Sequence, residues 1–224
     1  SRNETIAKHV ANNLKNIIKH LIALILFLVS FTGTAQIFAS KMDSIINLRI
    51  SELKNDSITE IGYTKITCIN YGIFQKGYLI WNDKSKTFLQ KFEEKRNPPV
   101  AVFQPINITD TVFFPFYNIN KKLLKTEDVK PFSYHPEPDK TYTVSSSHSC
   151  YRFFIIKSVN EEFIKGFDYY DLKESKENNN GQEPTKNIYF EKNNNLMLIQ
   201  WDKIMKEFTE NLESENIFEQ IKTE

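Results

Sequence analysis

The chain has 224 residues, with 29 Lys and Arg against 28 Asp and Glu, for a formal net charge of +1. A balance this even provides no basic face for a nucleic-acid backbone. Six glycines in all leave little from which to build a glycine-rich phosphate cradle. The sequence also lacks a Gly-x-Ser-x-Gly elbow, a His-Glu-x-x-His helix and paired Cys-x-x-Cys knuckles.

Lys15 and Lys19 precede the apolar run Leu21–Phe31, and Thr32-Gly33-Thr34-Ala35 follows it. A positive region, an apolar region and a small-x-small site in that order read as a secretory signal peptide over residues 1–35, cut before Gln36. The run is too short for a spanning helix, which needs about 20 apolar residues. If left uncleaved, the leader would be the only membrane contact expected of the chain. The first methionine is Met42, and translation from there would remove the leader and leave the protein cytoplasmic. Removing Arg2, Lys8, Lys15, Lys19 and Glu4 leaves 25 basic and 27 acidic side chains, a net charge of −2. Together with a Lys-rich, Arg-poor composition, the leader resembles that of an exported protein of a Bacteroidota bacterium. The resemblance covers the signal region alone.

Residues 36–224 are expected to form one globular domain. Met42, Ile45, Ile46, Ile50 and Leu53 recur at helical spacing, which predicts a helix over 40–56. Strands are predicted over 62–70, 77–81 and 87–92, the last two joined by the polar loop 82–85. Short strands follow at 100–104 and 111–114, broken by Pro105 and Pro115. A short helix is expected within 118–129, and the proline-bearing 130–140 reads as an extended surface loop. Strands 142–144, 151–159 and 162–172 come next. Residues 173–186 contain no apolar side chain and read as a flexible loop. Residues 187–191 and 196–201 read as a hairpin across Asn193-Asn194-Asn195. Trp201, Ile204, Met205, Phe208 and Leu212 predict a closing amphipathic helix over 202–212, which Ile217, Phe218 and Ile221 can extend after a break. The sum is an α+β fold: a mostly antiparallel sheet of short strands flanked by an N-terminal and a C-terminal amphipathic helix.

Beyond the leader there are two cysteines, Cys68 and Cys150, and two histidines, His135 and His148. An oxidising compartment permits a Cys68–Cys150 disulfide, which closes a loop of about 80 residues and contributes up to about 4 kcal/mol in the chain-entropy model. The competing reading is two separate buried thiols. A free Cys150 beside His148 or His135 would make a nucleophile pair. Glu137 and Asp139 near His135 resemble ligands, but the prolines between them disfavour a tight cage, and no metal or cofactor is expected. Phe114, Phe116 and Tyr117 lie in the densest aromatic cluster. They form a binding face if exposed together, and core if not. These features fit an exported non-catalytic binding or envelope-associated module whose partner is a small molecule, a glycan or an envelope protein. The alternative is an exported hydrolase using carboxylates or the Cys150/His pair. Mass spectrometry of the exported protein is expected to find Gln36 or Ile37 as its first residue; a chain starting at Met42 would remove the export assignment.

Overall fold

A computed structural model describes residues 40–69, 73–94, 100–176 and 184–221. The leader expected over 1–35 and most of the loop expected over 173–186 lie outside these residues. Lys41–Glu224 forms a unit of its own. Helix α1 (Lys41–Asn55) precedes a meander of β1 (Glu60–Ile69), β2 (Ile73–Asp83) and β3 (Lys86–Glu94). The short strands β4 (Ala101–Val102) and β5 (Ile106–Ile108) lead into α2 (Phe114–Thr126). A hairpin of β6 (Ser133–Glu137) and β7 (Lys140–Thr143) follows, then β8 (Cys150–Ser158), β9 (Glu162–Asp168) and a 3₁₀ turn at Tyr169–Leu172. The small pair β10 (Ser175–Lys176) and β11 (Thr185–Lys186), helix α3 (Phe190–Asn194) and helix α4 (Met197–Ser214) complete the order.

The main sheet runs β4-β3-β2-β1-β8-β9, with β5 also paired to β3, and the described pairings are antiparallel. The fold is therefore α+β, as the pattern implies. Its main strands are longer than the sequence suggests, with 10 residues in β1 and 11 in β2. Alternation along each strand sends side chains to opposite faces, and the two faces carry separate cores. Met42, Ile46, Ile50 and Leu53 of α1 pack on Ile61, Tyr63, Leu79, Trp81 and Phe92. Helices α2 and α4 cover the other face, over Ile80, Leu89, Phe154, Ile156 and Phe163. Helix α1 ends in a Schellman pattern, with Ser57 N–H donating to the Lys54 carbonyl and Ile58 N–H to that of Leu53. Ser57 holds the left-handed position, at φ 68°.

Four segments differ from the sequence reading. Thr111–Phe114 is not a strand: the Asp110 carboxylate accepts hydrogen bonds from the N–H groups of Val112, Phe113 and Phe114 and starts α2 there. Pro115, read as a strand break, occupies the first turn of that helix, where its missing N–H costs nothing. The surface loop at 130–140 holds β6 and leads into β7. The hairpin expected across Asn193–Asn195 is two helices, α3 and α4. The N-terminus of α4 is capped from far away in the chain, with Met197 N–H donating to Glu127 Oε2 at 2.7 Å. Beyond α4 the chain turns at Asn216 and runs extended along the sheet edge, with Gln104 N–H donating to Glu219 and Ile221 N–H to Val102.

Gly62 shows how tightly the α2 side is packed. A Cβ there would meet Phe113 Cε1 at 2.0 Å. Gly62→Ala is expected to cost roughly 2–3 kcal/mol by overpacking, read from the urea midpoint. Combining it with Phe113→Leu should recover part of that loss. A single substitution that leaves the midpoint unchanged would contradict this packing.

Candidate functional site

On the α4 side the helices do not cover the whole sheet. A cleft of about 470 Å³ opens between α4 and the ends of β1, β2 and β8. Ile66, Phe74, Lys76, Cys150 and Arg152 form its floor. Lys206, Thr209, Glu210 and Glu213 of α4 form one wall, and Tyr169, Tyr170 and Lys173 the other.

Helix α4 is held over this floor by three kinds of contact. Trp201 is fully buried, with Phe154 at 4.3 Å and Phe113 at 5.1 Å between ring centroids. The next residue, Asp202, meets Arg152 in an ion pair, Nε to Oδ1 2.7 Å, with both side chains 5% exposed. The two atoms are close, but they are not aligned as a hydrogen bond. Tyr169 donates to the second oxygen of Asp202 at 2.7 Å. Burial and the Asp202 charge raise the Tyr169 pKa far above the usual phenol value, so its hydroxyl remains a donor. Further along α4, Glu213 accepts from Lys76 at 2.8 Å and from Tyr78 at 2.7 Å, and pairs with Lys91 at 2.7 Å. Burial would raise this carboxyl, but hydrogen bonds from Lys76, Lys91 and Tyr78 outweigh it and hold the pKa at about 2.

The opposite wall depends on two buried asparagines. Asn193 Nδ2 donates to the carbonyls of Lys130 and Asp171. Asn187 Nδ2 donates to those of Asp171 and Lys173, while its Oδ1 accepts from the Ser133 and Tyr189 N–H groups. These bonds satisfy backbone groups that would otherwise be buried unpaired, and they fix the turn that carries Tyr169, Tyr170 and Lys173.

Cys68 and Cys150 form a disulfide between directly opposed residues of β1 and β8. Cys150 of this pair and His148 line the cleft. With its sulfur bonded, Cys150 offers no thiolate, so the nucleophile pair requires reduction first. His135 lies apart on the β6–β7 hairpin, its ring nitrogen 3.2 Å from the Lys140 carbonyl. The aromatic cluster is core rather than a binding face. Phe114 and Tyr117 are buried, and Phe116 stacks on Trp201 at 6.0 Å. Phe114 and Tyr117, three apart on α2, turn inward on one face, and Phe116 packs at the edge of the same core; the strand reading of 111–114 concealed this. Among the described residues, no three His, Cys, Asp or Glu side chains converge as metal ligands, and no helix is long and apolar enough to cross a membrane. Sequence reasoning missed Arg152, Asp202 and Glu213. The one available signal was a charged residue inside the otherwise apolar Tyr151–Ile156 run.

The chain matches no protein-family model, no curated protein and no solved structure.

A carboxyl with a lowered native pKa adds stability above its unfolded pKa, near 4.5, and loses it as pH falls toward about 2. Glu213→Gln is therefore expected to lower stability at pH 7 by about 1–2 kcal/mol after solvent screening. The difference from wild type should shrink between pH 4.5 and 2. Parallel urea titrations across that range would show it, and a difference independent of pH would refute the assignment.

Proposed function

We propose that this chain is an exported, non-catalytic binding module whose ligand seat is the cleft beneath α4. The leader at 1–35 supports export to the periplasm or beyond, and the Cys68–Cys150 disulfide is stable in an oxidising compartment of that kind. The observation that carries the binding reading is the cleft itself, a concavity of about 470 Å³, within the range that small ligands fill. Its aromatic and charged walls are fixed by buried hydrogen bonds, so little has to be ordered on binding.

The hydrolase reading has weaker support. A general acid must be protonated near the working pH, which the lowered pKa of Glu213 opposes, and its carboxylate is already engaged by Lys76, Lys91 and Tyr78. Cys150 is bonded to Cys68.

Amide chemical-shift mapping with a library of small fragments tests the proposal on the oxidised protein. Shifts are expected to cluster at Lys76, Arg152, Tyr169, Tyr170 and Lys206. Turnover of chromogenic ester, peptide or glycoside substrates that is abolished by Glu210→Gln would overturn the non-catalytic reading. Shifts confined to other surfaces would overturn the choice of cleft.

A further inference from the structure

We propose that the cleft selects a small organic anion, a carboxylate or sulfonate head on a flat apolar body, with Arg152 as the head-group receptor. The inference rests on the cleft being the ligand seat, and it names the chemistry that seat recognises.

Arg152 carries the argument. Its side chain is 5% exposed, yet it lines the cleft. It pairs with the Asp202 carboxylate through Nε and lies over the face of Phe154, 5.3 Å from the guanidinium carbon. A guanidinium has five N–H donors in a planar fork. The four on its terminal nitrogens have no acceptor among the described residues. Of the Arg152 nitrogens only Nε is fully buried without a hydrogen bond; the terminal pair keeps access to the open cleft, where an acceptor can replace water. An oxyanion entering the cleft can meet two of them side by side, the bidentate geometry arginine favours.

The surrounding charge has the same sign. Lys76, Arg152, Lys173 and Lys206 line the cleft, against Glu210 and Glu213. Glu213 is occupied by Lys76, Lys91 and Tyr78, and Asp202 by Arg152 and Tyr169. Asp168, behind the wall, accepts from Ser149 and from the Tyr170 N–H. Glu210 lies 3.9 Å from Lys206, and both are well exposed. Lys173 rests over the Tyr170 ring at 5.4 Å, with no carboxylate partner among the described residues. The acidic groups are thus largely occupied, and so is the charge of Arg152 through Asp202; the charge of Lys173 and the terminal N–H donors of Arg152 remain available. The rings of Phe74, Tyr169 and Tyr170 supply flat apolar surface for the body of the ligand.

Calorimetry with three probes that share one ring system tests this: 2-naphthoate, naphthalene-2-sulfonate and the neutral 2-naphthalenemethanol. Both anions are expected to bind at least 10-fold more tightly than the alcohol, and more weakly as salt rises. Arg152→Lys keeps a cation opposite Asp202 but loses the fork. It should weaken 2-naphthoate at least 10-fold and leave the alcohol unchanged. If that variant does not fold, the exposed pair Lys173→Met and Lys206→Met decides, with an expected loss of several-fold and a shallower salt dependence. Equal binding of alcohol and anions would overturn the anion inference while leaving the cleft as the ligand seat. So would unchanged naphthoate binding in a folded Arg152→Lys. Absence of binding by all three probes overturns it as well, and the fragment shifts then report separately on whether the cleft binds anything.

Discussion

Helix α4 lies across the sheet with Trp201 fully buried among Phe113, Phe116, Tyr117, Phe154 and Phe163, and the rest of that face follows from this placement. An indole of this size sets both the depth and the rotation of its helix, since close packing leaves no room for a second orientation. With Trp201 in place, Asp202 must point to the sheet, and Arg152 on β8 is the cation that meets it. A buried pair of this kind contributes little net stability, because desolvating two charges offsets most of their attraction. Here it holds α4 in one register over β8, and removing either partner would leave the other charge buried alone.

The same constraint produces the cleft. Aromatic packing fills the space under the N-terminal half of α4. Toward the C-terminal half the floor becomes polar, with Lys76 and Arg152, and Glu213 spans the gap by ionic contact rather than by packing. Long charged side chains hold the helix at a distance that apolar contact would have closed. The opposite wall is fixed by Asn187 and Asn193, whose side-chain amides stand in for backbone partners in a stretch with little regular structure. Together these give a concavity whose shape is set before any ligand arrives.

The disulfide belongs to a different part of the design. It joins opposed residues of β1 and β8 beside the cleft, next to the Ile69 N–H that donates to the Ser149 carbonyl. It closes an 82-residue separation, and so restricts the unfolded chain most strongly between two neighbours of the central sheet. It also leaves the cleft without a free thiol.

Much of the architecture was legible in the sequence, because periodicity along one segment depends on that segment alone. The stripe Met42, Ile46, Ile50 and Leu53 required a helix with one buried face, the alternation in 62–70 a strand, and the polar loop 82–85 a hairpin of 77–81 with 87–92. Trp201, Met205 and Phe208 placed the closing helix on the core. The ambiguity came where a helix start depends on a distant or unusual cap. Val112-Phe113-Phe114 reads equally as a strand until Asp110 is seen to cap three N–H groups, and Leu196–Trp201 until Glu127, 70 residues away, caps Met197. The candidate site was hardly legible at all. Arg152, Lys76, Lys173 and Glu213 lie far apart in the chain and read individually as ordinary solvated charges. Only the tertiary structure, by burying Arg152 beside Asp202 and drawing Glu213 onto two lysines and a tyrosine, decided which charges are occupied and which face an open cleft. Partnership and burial are properties of neighbours in space, and no local pattern encodes them.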